Sequence, residues 1–156
     1  MTRRFELGDE SVVVVIGSGP AGMTAAQAQR VPFENVSKLY YRKVEGLHDL
    51  PGLERFLDGI ERYHFGGTCY ANNHYLAWLL RHLGYEVATH GAAMSRPDVH
   101  LVSTVRLGGR DYLVDLGYAA PFFEPMPLDS ELEREIVWGR SRYVLHPRDE
   151  HGFSRM

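Results

Sequence analysis

The sequence predicts an α+β fold, and three observations carry that reading. Apolar residues recur at three- and four-residue steps through much of the first half. The second half instead shows short β-type runs bounded by glycine and proline, two of them joined by a Gly-Gly pair. At 156 residues the chain is long enough to bury a core as a single compact unit. Residues 1–84 read as a mainly helical part and residues 85–156 as a β-rich part.

The elements follow in order. Residues 11–16 are a valine-rich strand, 17–20 a glycine-proline turn, and 21–30 have helical composition. Pro32 stops that helix, because proline disfavours helical backbone at the residue before it. Residues 36–41 read as a short extended piece. Residues 50–63 form an amphipathic helix with Leu53, Phe56, Leu57, Ile60 and Tyr63 on one face. A glycine turn leads into a helix that starts at Cys69, carries Tyr75, Leu76, Leu79, Leu80 and Leu83 at helical spacing, and ends near Gly84. Residues 85–89 read as a strand and 91–98 as a loop. Residues 100–107 and 110–117 are strands of a hairpin, since Gly108-Gly109 is a strong two-residue turn signal. Residues 121–127 are irregular, with Pro121, Pro125 and Pro127, and Trp138 and Tyr143-Val144-Leu145 predict a last strand or two.

Composition excludes several function classes. The net charge of −3 gives no electrostatic reason to expect nucleic acid or an anionic membrane as partner. A single cysteine forms no internal disulfide, which fits a reducing cytoplasm. Arg3 and Arg4 precede an apolar run, but Asp9 and Glu10 intervene, and residues 12–16 are too short for a signal sequence or a membrane span. The eight histidines lack ligand spacing and no paired-cysteine motif exists, so no metal is expected. His74 and His82 read as surface or packing residues.

Gly17, Gly19 and Gly22 fit Gly-x-Gly-x-x-Gly after a strand, which resembles the opening of flavin- and NAD-dependent oxidoreductases. That motif needs a second strand ending in an acidic residue about 20 residues on. Pro32-Phe33-Glu34-Asn35 arrives there instead. No flavin or NAD is expected, and the segment reads as a strand–turn–helix.

Cys69 is the strongest chemical lead. It follows Gly66-Gly67-Thr68 at a helix start, where the positive end of the helix dipole favours thiolate. A free cysteine also serves as a small buried hydrophobe, and Cys69 alone does not separate the two roles. The hairpin supplies partners. A two-residue turn sets Leu107 opposite Arg110 and, continued outward, Val102 opposite Asp115. His100 shares a face with Val102, so His100 and Asp115 become diagonal neighbours roughly 7–8 Å apart. A carboxylate holds one imidazole nitrogen, and the other can then take a proton from a thiol. A three-residue loop would put the two on opposite faces. The residues equally allow His100 to open an exposed strand and Asp115 to end one. Cys69 as third member completes a thiol–imidazole–carboxylate set.

These residues lie in a pattern that resembles the arylamine N-acetyltransferases. The family's Arg-Gly-Gly-x-Cys corresponds to Phe65-Gly66-Gly67-Thr68-Cys69. Its Pro-Phe-Glu-Asn is Pro32 to Asn35, and its strand-opening histidine is His100. Its Val-Asp-x-Gly-Phe-Gly corresponds to Val114-Asp115-Leu116-Gly117-Tyr118-Ala119, and the proline-rich stretch after it to Phe123 through Leu128. The likeness runs in order from about Val31 to Leu128.

The resemblance implies a papain-like core, with a helical part carrying Cys69 packed on an antiparallel, β-barrel-like part that supplies His100 and Asp115. It implies ping-pong transfer of an acetyl or other acyl group from acyl-CoA, typically acetyl-CoA, to an arylamine, hydrazine or related amine. Cys69 would be the nucleophile, His100 its base and Asp115 the residue orienting His100. Phe33, Gly117 and Tyr118 would line the acceptor pocket, and backbone N–H groups near Cys69 are candidate oxyanion donors.

The departures are Phe65 for the arginine, Ala71 for an acidic or amide residue, and Tyr118-Ala119 for Phe-Gly. The family also continues past the position of Met156 with strands and a third domain that help cover the cleft and bind CoA. An amide synthase or thiol hydrolase with the same triad, or a catalytically silent ligand-binding remnant, are the alternatives. Oligomeric state is left open, homo-oligomers included.

Overall fold

The computed structural model describes residues 31–117, 126–138 and 140–156. The glycine-rich segment before Val31, the family-like positions Tyr118 and Ala119, and residues 121–125 lie outside the described residues. Among the described residues three helices come first: α1 (Val36–Val44), α2 (Leu53–Tyr63) and α3 (Cys69–His82). Six strands follow: β1 (Glu86–Ala92), β2 (His100–Leu107), β3 (Arg110–Val114), β4 (Met126–Pro127), β5 (Arg134–Trp138) and β6 (Ser141–Leu145). β1 to β4 make an antiparallel sheet in that order, and β5 and β6 make a separate antiparallel pair. Helices plus antiparallel sheet are as expected. Closure of the strands into a barrel is not seen among the described residues.

α3 lies against β1 and β2 and is the spine of the fold. Leu76 and Leu80, one turn apart, are almost wholly buried against Val105, Val114 and Leu116. Burial of each leucine side chain contributes about 1.5–3 kcal/mol. Leu79 and Leu83, at the same helical spacing in sequence, stay partly in solvent. On another face of α3, Ala71 and Tyr75 meet Phe56 of α2, with the Tyr75 and Phe56 rings stacked at 4.4 Å. Leu57, expected on the inner face of α2, is exposed. α3 stops where Gly84 takes φ +88°, a left-handed conformation suited to glycine.

Residues 36–41 correct the sequence reading, because they are helical rather than extended. Val36 and a pair of tyrosines suggest a strand, but local bonds favour helix. The Glu34 carboxylate accepts the Ser37 N–H at 2.9 Å, filling an otherwise unpaired donor of the first turn. Arg42 and Lys43 sit in the last turn, where cations suit the helix dipole. Tyr40 and Tyr41 then reach Phe65 together, with ring centroids at 5.4 and 5.9 Å.

The β2–β3 register is the one a two-residue turn requires, with Leu107 opposite Arg110 and Ser103 opposite Val114. Gly108 and Gly109 have φ of +56° and +82°, as a type I′ turn needs. The ladder ends at Val114, so Asp115 leaves it before the pairing with Val102 expected from the sequence. β1 runs to Ala92, through residues read as a loop. Met126 and Pro127 pair with β3 at its edge, within a stretch read as irregular. Proline fits there because an edge position needs no second ladder donor.

Two predictions follow from the hairpin. Gly109→Val forces a branched side chain into left-handed backbone and should cost about 1–3 kcal/mol in urea unfolding, while Gly108→Asn should be nearly neutral. Acid should also loosen this edge. Hydrogen bonds from Arg106 hold the Asp111 carboxyl below its ordinary range, and those from Arg110 do the same for Asp129. A folded-state value depressed below the unfolded one stabilises at pH above the unfolded value, near 3.9, and is lost as pH falls through the folded value. Thermal melts should therefore show Asp129→Asn destabilising at pH 6 and converging on the parent chain as pH falls through the folded-state value.

Candidate functional site

The site lies where the N-terminus of α3 meets the end of the sheet from which β2 starts. Cys69 is the first residue of α3 and is buried. Gly66, Gly67 and Thr68 lead into it and are held from three directions. The Gly67 carbonyl accepts the Glu34 N–H at 3.0 Å, and the Gly67 N–H donates to the Pro32 carbonyl at 3.2 Å. The Glu34 carboxylate accepts the Gly66 N–H at 3.0 Å. Asn72 Nδ2, from inside α3, donates to the Gly67 carbonyl at 3.1 Å. A side chain at Gly66 would collide with the Pro32 backbone, so the approach requires glycine there.

Pro32 to Asn35 is thus a clamp on the turn before Cys69. Phe33, expected to line a pocket, forms a parallel bridge with Gly67 through its backbone, and its side chain is half-exposed. Phe65, where the family pattern has arginine, enters a ring cluster with Tyr40, Tyr41 and Tyr63. Aromatic packing therefore occupies that position. Ala71 has no polar role and packs in the core beside Phe56 and Tyr75.

On the sheet side, His100 is the first residue of β2 and Asp115 follows the end of β3. Both are buried, at 5% and 4% exposure. His100 Nε2 and Asp115 Oδ2 lie 2.7 Å apart. Asp115 Oδ1 accepts the Gly117 N–H at 2.7 Å and Asn73 Nδ2 at 2.8 Å. A buried carboxylate is costly unless such donors fill its lone pairs.

The two halves converge on Cys69. Its Sγ lies 3.9 Å from the carbonyl of Val99, the residue before His100. Gly117, two residues after Asp115, sits so close that a Cβ there would strike Cys69 Cα and Cβ and approach Asn73 Nδ2 at 2.9 Å. Gly117 is therefore a close-approach glycine. Tyr118, the third expected pocket residue, lies outside the described residues.

Asn72 and Asn73 were missed in the sequence. Both are buried, and both bond outward from α3: Asn72 to the turn, Asn73 to Asp115. The available signal was two adjacent amides three and four residues after a helix-start cysteine, which puts them one turn from it. Among the described residues no group of three or more His, Cys, Asp or Glu side chains could hold a metal, and no helix is long and apolar enough to cross a membrane.

Known proteins resemble this chain in sequence and in fold. The sequence pattern of a family described as N-acetyltransferase matches residues 21–153. The pineal gland arylamine N-acetyltransferase isozyme NAT-3 of Gallus gallus is 34% identical over 126 residues, covering 74% of this chain and 42% of that protein. Arylamine N-acetyltransferase 1 of Homo sapiens is 32% identical over 139 residues, covering 81% and 44% respectively. The chain thus spans less than half the length of these curated relatives.

Among solved structures, the arylamine N-acetyltransferase of Nocardia farcinica aligns with a TM-score of 0.62 at 26% identity, over 84% of this chain and 47% of that one. The (BACCR)NAT3 enzyme of Bacillus cereus, which has a unique Cys-His-Glu catalytic triad, shares the fold with a TM-score of 0.61 at 22% identity, over 88% and 55%. A clamped cysteine turn, a buried histidine–carboxylate pair and a family match across most of the sequence agree, and the chain belongs to the arylamine N-acetyltransferase family.

Proposed function

We propose that this chain transfers an acetyl or related acyl group from acyl-CoA to an arylamine, hydrazine or similar small amine, with Cys69, His100 and Asp115 as its catalytic residues. The observation that carries the proposal is the buried 2.7 Å contact between His100 Nε2 and Asp115 Oδ2 beside the helix start that bears Cys69. Because Nε2 faces the carboxylate, Nδ1 is the nitrogen assigned to the thiol. That is a papain-like layout, with the nucleophile on a central helix and its base and carboxylate on the sheet. The helical part, 1–84, would bring the nucleophile, and the β-rich part, 85–156, the other two.

Two transfers complete the cycle. His100 Nδ1 takes the Cys69 proton, and Sγ attacks the thioester carbonyl of the donor. The new Sγ–C bond forms as the bond to CoA sulfur breaks, and CoA leaves as a thiol carrying the proton from His100. The amine nitrogen then attacks the Cys69 thioester. His100 accepts an amine proton and returns it to Sγ as the amide departs. Asp115 stabilises the imidazolium in each half. Acetyl-CoA is a co-substrate, and the chemistry requires no metal, flavin or NAD. Phe33, Gly117 and Tyr118 are proposed to line the acceptor side, Gly117 by the close approach of its backbone to Cys69.

Incubation with acetyl-CoA followed by intact-protein mass spectrometry should show one acetyl adduct on Cys69, removed by excess arylamine. An unmodified chain, or an adduct that persists in Cys69→Ala, would overturn the proposal. His100→Ala should slow adduct formation by about 10²–10⁴-fold. Asp115→Asn, which keeps the shape but cannot support the same imidazole tautomer, should slow it by about 10³–10⁴-fold, both read from the time course of the same adduct.

A further inference from the structure

We propose that Asn73 is a positioning residue for the acyl-transfer site. It would fix the Asp115 carboxylate in the orientation that His100 uses and tie that orientation to the helix bearing Cys69. The inference rests on the Cys69–His100–Asp115 reading and deepens it.

The hydrogen-bond inventory of Asn73 is the first support. Its side chain is fully buried. Nδ2 donates to the Leu101 carbonyl at 2.5 Å and to Asp115 Oδ1 at 2.8 Å, and Oδ1 accepts the Leu116 N–H at 2.7 Å. Both amide protons are committed. The amide orientation is fixed by its partners, because an ionised carboxylate and a carbonyl only accept and a backbone N–H only donates.

What those partners are is the second support. Leu101 follows His100 in β2, and Leu116 follows Asp115, so one side chain grips the backbone beside both members of the pair. It also grips Asp115 itself. With Oδ1 filled by Asn73 and the Gly117 N–H, Oδ2 is the oxygen presented to His100 Nε2. Rotation of the carboxylate would break the Asn73 bond and the Gly117 bond together.

The location of Asn73 on α3 is the third. It lies four residues after Cys69, on the same helical face one turn further on. The carboxylate at one end of the proposed proton path and the thiol at the other are therefore referenced to a single rigid element. Near-attack geometry needs placement to within about 1 Å, where errors cost on the order of 10²-fold in rate. A bond from the nucleophile's own helix to the far end of the path meets that demand directly.

A packing role alone would lower stability and leave thiol reactivity untouched, so the test reads both. Wild type and Asn73→Asp are compared by the pH dependence of Cys69 alkylation with iodoacetamide, and by circular dichroism melts. Asn73→Asp is nearly isosteric and keeps the acceptor for the Leu116 N–H. It loses both donors and sets a second carboxyl against Asp115. The expected result is a folded variant whose alkylation rate at neutral pH falls about ten-fold, with the profile displaced upward by about one pH unit.

A folded Asn73→Asp that keeps the wild-type profile would overturn the positioning role. If Asn73→Asp does not fold, Asn73→Ser decides by the same comparison, because it removes the reach to Asp115 without adding charge. Failure of the underlying reading looks different: the wild type itself would then alkylate as an ordinary free thiol, unchanged by His100→Ala.

Discussion

A carboxylate buried at the junction of helix and sheet constrains the rest of this structure. Asp115 has 4% of its surface exposed, accepts hydrogen bonds from Asn73 and Gly117, and lies 2.7 Å from His100 Nε2. Leaving such a group without partners costs about 3–5 kcal/mol, comparable to much of a small domain's net stability. Each partner comes from a different place: α3, the loop after β3, and the start of β2. The bonds that make the charge tolerable are also the bonds that seat the helix on this end of the sheet.

The opposite side of Cys69 is built on a second acid with a different task. Glu34 accepts the Gly66 N–H and the Ser37 N–H, so it holds the turn before Cys69 and starts α1 at the same time. Asn72 supports that turn from within α3. Adjacent amides on one helix therefore divide the work, one toward the turn before Cys69 and one toward Asp115. Hydrophobic packing of Leu76 and Leu80 on Val105 and Val114 sets the distance between helix and sheet, and the polar groups then set the register at their end. Phe65 shows that the turn survives loss of the family's arginine, because rings from α1 and α2 surround it.

Much of this was legible in the sequence where one physical signal acted alone. Gly108-Gly109 dictated the turn, and the turn dictated the register of β2 on β3. Cys69 at a helix start followed from glycine before it and apolar periodicity behind it. Legibility failed where particular side-chain bonds, near or distant in sequence, decided. Val36 to Tyr41 have strand-like composition, yet a cap from Glu34 and packing on Phe65 make them helical. Asp115 was reached by extending the ladder past Val114, whereas its position is set by Asn73 and Gly117. Asn73 carries only its place one turn after Cys69 as a local signal, and an amide on a helix reads as a solvent-facing residue until its partners on the sheet are known.

The central claim is that Asp115 fixes the tautomer of His100, placing the proton on Nε2 and directing Nδ1 to the thiol. Nitrogen-15 NMR of the histidine-labelled protein tests it most directly. The account predicts that the neutral His100 ring carries its proton on Nε2, in slow exchange with water, and that Asp115→Ala abolishes that protected signal. A neutral ring protonated on Nδ1, or an Nε2 proton in fast exchange in the folded parent chain, would contradict it.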